Sequence, residues 1–363
     1  MTISKPLSAI DRRRFLQTTI LGAGAAAAGI LISRPGDAAE EPVVNFYNWD
    51  TYIGETTLDD FRSESGITVK MSLFADNDEL FAKMKEGNPG FDLIVPTNDY
   101  VARMIEAGMI VALDHSKIPN FKTNISPVFQ DADFDPGRKY SMPYMWGTMG
   151  LGYRKSAFPN GIESWKTIFD SDEAAGRIAL ISESRTMLGI TLKYLGYSMN
   201  STSKAEIDEA AALLIKQKPN IKVIAEDNGQ DLLLSGEVDV AVEWNGDIGQ
   251  VMAEDDDVTY TIPKEGGLVW QDCLCIPKDA PHPNNAHAFI NYILDAEAGA
   301  KIADYIQYGS PNDAARKLLG DDYNKNASIF PPEEVLAKCE SSLYLGEDVQ
   351  RLYDDAWTRV QAS

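Results

Sequence analysis

Short apolar runs alternate with amphipathic stretches along most of this chain, and that alternation leaves few folds open. Val43–Asn48 reads as a buried strand, and Thr56–Ser65 as a helix with Leu58 and Phe61 inward and Gly66 as its stop. Ile67–Leu73 alternates like a second strand. Asp78–Lys85 places Leu80, Phe81 and Met84 on one helical face. Phe91–Val95 is a short apolar strand ending at Pro96, and Asp99–Ala107 is a helix stopped by Gly108. Three strand–helix repeats in a row predict a parallel sheet covered by helices.

The middle of the chain uses the same grammar. Strands are expected at Ile178–Ile181, Ile221–Ala225, Val238–Glu243 and Leu274–Ile276. Helices are expected at Thr186–Leu195, Lys204–Gln217, Gln230–Leu234 and Ala286–Leu294, with Asp348–Val360 as an amphipathic closing helix. At 363 residues, the chain is long enough for two lobes that need no metal or disulfide staples.

The first forty residues read as an address. Asp11 to Gln17 spell Asp-Arg-Arg-Arg-Phe-Leu-Gln, an apolar run follows from Thr18 to Ile32, and small residues come at Gly36, Ala38 and Ala39. Basic, apolar and small-residue parts in that order predict a cleaved secretory leader over 1–38. The Arg12-Arg13-Arg14-Phe15-Leu16 core resembles the twin-arginine signal, which exports folded proteins to the periplasm. The apolar run is short for a membrane span, so no stable membrane insertion is expected after cleavage.

Charge narrows the partners. Asp and Glu number 55 against 33 Lys and Arg, a formal charge of -22. Residues 1–38 hold five basic and two acidic residues, so their removal takes the charge to -25. Such a surface suits cations and repels nucleic acid and anionic membranes. Cys273 and Cys275 stand two apart in one strand, too far for easy pairing. Buried free thiols are expected there, with pairing of Cys339 left open. His115, His282 and His287 show no metal spacing, so neither a metal nor another cofactor is expected. The sequence shows no G-x-S-x-G elbow, no Cys–His motif and no phosphate-binding loop. An enzyme is therefore not expected, with a secreted hydrolase as the remote alternative.

Ligands of open α/β sheets sit beyond the carboxyl ends of the strands, and the distinctive residues cluster there. Trp49-Asp50-Thr51-Tyr52 follows the first strand, Thr97-Asn98-Asp99-Tyr100 the third, and Trp244-Asn245-Gly246-Asp247 the strand ending at Glu243. Trp270-Gln271-Asp272 precedes the strand at 274–276. Each acid also has an ordinary reading. Asp247 could cap a helix, Glu183 and Glu226 could be solvated loop residues, and Asp50 could be a turn residue.

These segments resemble the periplasmic spermidine- and putrescine-binding proteins of polyamine ABC importers. The matching stretches are Phe-Tyr-Asn-Trp-Asp-Thr-Tyr at 46–52, Phe-Asp-Leu-Ile-Val-Pro-Thr at 91–97, Tyr-Ser-Met-Pro-Tyr-Met-Trp-Gly at 140–147, Glu-Trp-Asn-Gly-Asp at 243–247, Pro-Lys-Glu-Gly-Gly at 263–267, Trp-Gln-Asp at 270–272 and Ser-Pro-Asn at 310–312. The resemblance implies an α/β, two-lobe periplasmic-binding-protein fold. Each lobe would be a mostly parallel sheet flanked by helices, with the ligand in the cleft between them. Lobe one would take 43–148 plus 271–316, and lobe two 149–270 plus 317–363.

The resemblance also implies the pocket. Trp49 and Tyr52 match an aromatic pair, Trp244 and Trp270 aromatic walls, Asp272 an acid that holds an ammonium group, and Tyr308 a hydroxyl-bearing aromatic. Asp247 resembles an acid of the putrescine-type members, and Glu183 sits where the spermidine-type members place an Asp. Departures are Thr51, Thr186 and Ser342 at family polar positions, Asp99 with Tyr100 beside it at a family aromatic, and Glu226 at a family Ser. A small cationic amine is the expected ligand, an inner-membrane ABC permease the expected partner, and a monomer the expected state. Arg185 keeps an alternative open, because an inward guanidinium could clamp the carboxylate of an ω-amino acid such as 4-aminobutyrate. Its ordinary reading is a surface residue paired with Glu183.

Overall fold

Nine strands among the described residues form one mixed sheet: β1 (Val43–Asn48), β2 (Thr68–Leu73), β3 (Leu93–Ile94), β4 (Ser141–Arg154), β5 (Ile178–Ile181), β6 (Ile221–Ala225), β7 (Val240–Trp244), β8 (Val258–Thr261) and β9 (Leu268–Cys275). This is a computed structural model, and it describes residues 40–363. The leader read in residues 1–38 lies outside the described residues. The strand order is β2-β1-β3-β9-β4-β7-β5-β6, with β8 also paired to β4.

The two ends of this order are parallel and the middle is not. β1 runs parallel to β2 and β3, and β5 runs parallel to β6 and β7. Between them β9 is antiparallel to β3 and β4, and β4 is antiparallel to β7 and β8. The first part of β4 pairs with β9, from Ser141 opposite Cys275 to Met149 opposite Leu268. Its last part pairs with β7, from Met149 opposite Trp244 to Tyr153 opposite Val240. Two long strands thus carry the sheet from one parallel set to the other.

The parallel strands follow from their composition. β1 and β5 are buried on both faces, as apolar runs covered by helices must be. The helices Thr57–Ser65, Asn77–Lys85 and Asn98–Glu106 follow β1, β2 and β3 in turn. Gly66 ends the first of them in the left-handed region at φ 75°, and Asp76 caps the second by accepting the Glu79 N–H at 2.7 Å. β4 defeats the pattern because Pro143 and three glycines interrupt its apolar residues. Pro143 sits where the β4–β9 register shifts. Gly147 is there for close approach, since a Cβ on it would lie 2.7 Å from the Trp270 ring. The strand expected at 274–276 is the end of the longer β9. The helices Asn245–Glu254 and Ala296–Ile306 add to those expected from the sequence. All three cysteines are free, with Cys273 and Cys275 buried. No helix among the described residues is long and apolar enough to cross a membrane.

Candidate ligand-binding site

The end of β1 sets one wall of a cavity. Trp49 is buried and its indole N–H donates to the Val95 carbonyl at 2.9 Å. Asp50 and Thr51 make the turn, with Thr51 exposed and left-handed at φ 47°. The turn brings Tyr52 back inside. Its carbonyl accepts from the Asn48 amide at 2.9 Å and from the Tyr144 hydroxyl at 2.8 Å.

The second wall comes from β9 and the loop after β3. Trp270 and Asp272 are two residues apart on β9 and share its cavity face. The Thr97 hydroxyl donates to Asp272 Oδ1 at 2.7 Å, and its own oxygen accepts from Asn77 at 2.9 Å. Burial pushes the Asp272 carboxyl up to about 7, against the Thr97 and Tyr52 hydroxyls and with help from Asp99 and Asp227.

The third wall is built where β7 turns into the helix Asn245–Glu254. Asn245 is fully buried and ties this turn to Thr148 N–H at 2.9 Å and the Ser328 carbonyl at 3.0 Å. Trp244 occupies the cap position, so Asp247 is not the cap; it lies in the first turn, buried, and faces the cavity. Burial and the neighbouring Asp227 hold its carboxyl well above the usual range. A Cβ on Gly246 would lie 2.5 Å from the Tyr308 ring, so glycine lets that ring close the cavity. Tyr308 is aimed inward by Gln307, which ends the helix Ala296–Ile306 in the left-handed region at φ 59°.

These walls bound a hollow of about 360 Å³ that is partly open to solvent, lined by Trp49, Asp50, Tyr52, Thr97, Asp227, Trp244, Asp247, Trp270, Asp272 and Tyr308. The aromatic rings meet edge to face. Trp270 lies 5.7 Å from Trp244 and 5.2 Å from Tyr308, and Tyr52 lies 5.2 Å from Tyr308. No lysine or arginine lines this cavity.

A second hollow of about 450 Å³ shares Thr97, Trp244 and Trp270 with the first. It gathers Asp99, Tyr100, Glu183 and Arg185, together with Asp76 and Asp78. Ser342 donates to Asp99 Oδ2 at 2.7 Å, and Thr186 donates to Glu183 Oε2 at 2.9 Å. Burial raises both carboxyls. The Tyr100 hydroxyl is taken up by Asp78. Arg185 is only 7% exposed and does not pair with Glu183. It donates to Asn200 Oδ1 at 3.3 Å and the Leu343 carbonyl at 3.2 Å, and its guanidinium lies 3.9 Å over the Tyr353 ring.

Two expectations differ from the geometry. Glu226 is exposed and lines a separate open depression; the next residue, Asp227, reaches the cavity. Both residues lie in the bend after β6, which turns Asp227 toward the cavity and leaves Glu226 in solvent. Thr51 is outside the cavity, at the tip of the turn. Glu243 was read only as a strand end, yet it is fully buried beside this site. An acid inside the apolar run Val-Ala-Val-Glu-Trp was the available signal. Asp227, Glu243 and Asp247 each bring one carboxylate oxygen within 4.8 Å of the others, the candidate metal-ligand grouping among the described residues.

Residues 56–331 match the family model described as bacterial extracellular solute-binding protein. A spermidine/putrescine-binding periplasmic protein of Salmonella typhimurium is 33% identical over 345 residues, covering 94% of this chain and 97% of that one. The chain belongs to the periplasmic spermidine/putrescine-binding protein family. The putrescine-binding periplasmic protein PotF of Escherichia coli is a further relative, 32% identical over 90% of this chain and 93% of its own. The solved spermidine/putrescine ABC transporter substrate-binding protein PotD of Streptococcus pneumoniae superposes with a TM-score of 0.75 at 31% identity, over 88% of this chain and 98% of that one. The fold is accordingly the two-lobe α/β fold of periplasmic binding proteins, and the family's proteins are named for binding a solute rather than transforming one.

Proposed function

We propose that this chain is a periplasmic receptor that encloses a diamine or polyamine of the putrescine/spermidine class and delivers it to an ABC permease. One observation carries this reading: an aromatic cavity holds the buried acids Asp247 and Asp272 and the half-buried Asp227, on three separate chain segments, and no cation of its own. A polyamine is an apolar chain with ammonium groups, so its charges need carboxylates and its methylenes need apolar walls. Asp272 takes one ammonium, with Tyr52 and Thr97 beside it. Asp227 and Asp247 take another, and Trp49, Trp244, Trp270 and Tyr308 line the chain between. Indole faces add about 0.5–2 kcal/mol per well-placed cation. Asp99 and Glu183 extend the acidic lining into the second hollow, where a longer amine continues. The lobes 43–148 plus 271–316 and 149–270 plus 317–363 close on the ligand and exclude water, which strengthens each charge pair.

The second reading, an ω-amino acid such as 4-aminobutyrate, rests on Arg185, whose Nη1 is buried without a partner in the second hollow. The amine reading is the stronger one, because that guanidinium is already held by Asn200, Leu343 and Tyr353 while the first cavity carries acids alone. Calorimetric competition among putrescine, spermidine and 4-aminobutyrate at one pH and salt tests the choice. The expected result is binding of the amines ahead of 4-aminobutyrate, recovery of the ligand chemically intact, and a smaller radius of gyration on saturation. A preference for 4-aminobutyrate that disappears in Arg185→Ala overturns it.

Residues 1–38 act as a cleaved twin-arginine leader, so the receptor folds before export. Arg12→Lys with Arg13→Lys is expected to strand the precursor in the cytoplasm, read by fractionation. Unchanged periplasmic yield in that variant rules the route out.

A further inference from the structure

One group beside the ligand cavity is not explained by an ammonium ion alone. Glu243 stands in β7 and is 1% exposed, and its Oε1 is buried with no hydrogen-bond partner. The chain nevertheless keeps room for it. A Cβ on Gly229 would lie 2.2 Å from Glu243 Oε2, so any larger residue there would displace the carboxylate. Asp227 Oδ1 is likewise buried and unpartnered. Three carboxylates in one another's reach carry up to three negative charges, and no lysine or arginine lines the cavity to balance them. An ammonium brings one positive charge, which leaves the three carboxylates short of counter-charge whenever they are ionised.

The geometry suits a denser cation. Oxygens on opposite sides of one calcium ion stand about 4.8 Å apart, at about 2.4 Å each from the metal. One carboxylate oxygen from each of Asp227, Glu243 and Asp247 lies within 4.8 Å of the other two. An all-carboxylate set with no sulfur or imidazole selects hard cations over zinc or copper. Ligands drawn from a loop, a strand and a helix tolerate the irregular shell of calcium better than the strict octahedron of magnesium.

We infer that Asp227, Glu243 and Asp247 form a binding site for a hard divalent cation of the calcium type at one end of the ligand cavity, and that this cation and the amine exclude one another there. Asp227 and Asp247 serve both occupants. Glu243, set behind them, belongs to the cation. The receptor then reads amine against the divalent cations of its surroundings rather than amine alone.

Terbium luminescence tests this on the purified protein, because Trp244 is the residue next to Glu243 and can sensitise a bound terbium ion. Saturable emission is expected, displaced both by calcium and by putrescine. Glu243→Gln is isosteric and is expected to weaken terbium about tenfold or more by removing one charged ligand. Gly229→Ala, which pushes the carboxylate aside without deleting it, is expected to act in the same direction. Calcium at constant ionic strength is expected to weaken putrescine binding in the wild type and not in Glu243→Gln. The inference is overturned by absent or non-saturable emission, by equal terbium binding in folded Glu243→Gln, or by calcium acting no differently from sodium. Putrescine titration in chelator-treated buffer separates the two ideas. If putrescine fails to bind there, the receptor reading falls, while the terbium titration still decides the cation site.

Discussion

Putrescine affinity is expected to fall about 30- to 5,000-fold in Asp272→Ala. Removing one partner of a desolvated, hydrogen-bonded charge pair costs about 2–5 kcal/mol, and each 1.4 kcal/mol is about tenfold. Asp272 is 5% exposed, on a strand paired on both sides, and held by Thr97 at 2.7 Å. The substitution is expected to leave the fold intact, because no backbone pairing depends on the side chain and the Thr97 oxygen still accepts from Asn77. Trp270→Ala, which removes wall and no charge, is expected to lose less. Calorimetry on both variants beside a melting curve decides the matter. If folded Asp272→Ala binds putrescine like the wild type, the amine does not sit where this site puts it.

The second large effect is in pH. Burial lifts Asp272 and Asp227 to about 7 and raises Asp247, Glu243, Asp99 and Glu183 as well. A raised carboxyl is neutral below its folded pKa, so the ligand-free cavity is largely discharged in mild acid. Its contribution to stability is fully present below the unfolded pKa near 4 and is lost as pH rises through about 7. A carboxyl moved from 3.8 to about 7 carries up to about 4 kcal/mol of this linkage. The ligand-free protein is therefore expected to melt higher at pH 5 than at pH 8. Surface acids such as Asp255 and Asp257, held low by hydrogen bonds and Arg154, work in the opposite direction but are screened by water. Amine binding needs the ionised forms, so affinity is expected to rise between pH 5 and pH 8, by up to about tenfold per pH unit for each carboxyl that must release its proton. Melting curves at both pH values, with and without saturating putrescine, check the sign. A ligand-free protein that is more stable at pH 8 contradicts the discharged cavity.

Legibility of the fold depended on which physical rule each segment obeys. The parallel strands and their helices followed from period alone, because β1 and β5 are apolar runs bounded by turns. β4 is central to the sheet yet hidden, because its Pro143 and glycines serve local geometry: a register shift, and the close approach of the Trp270 ring. The site divides in the same way. Asp272 was legible because an acid between a tryptophan and an apolar strand has little else to do. Asp227 was hidden by Glu226, since both stand in a bend beyond β6, where no periodicity says which of two adjacent acids turns inward. Glu243 was hidden because acids in strands usually face water, and only the covering helices show that this one does not. Arg185 reads as a surface residue until the closing helix Glu347–Ala362 places Tyr353 beneath its guanidinium.

The cavity is assembled from chain segments near residues 50, 97, 227, 245, 271 and 308, most of them more than twenty residues from the next along the chain. The three cysteines are free, so no covalent bridge joins these segments. On the proposed function, a bound amine is a removable cross-link that ties distant parts of one polypeptide through their carboxylates. Loading narrows the set of partly open states from which a protease or a chaotrope starts. If the proposed function holds, the ligand-free chain is the form more open to protease or chaotrope.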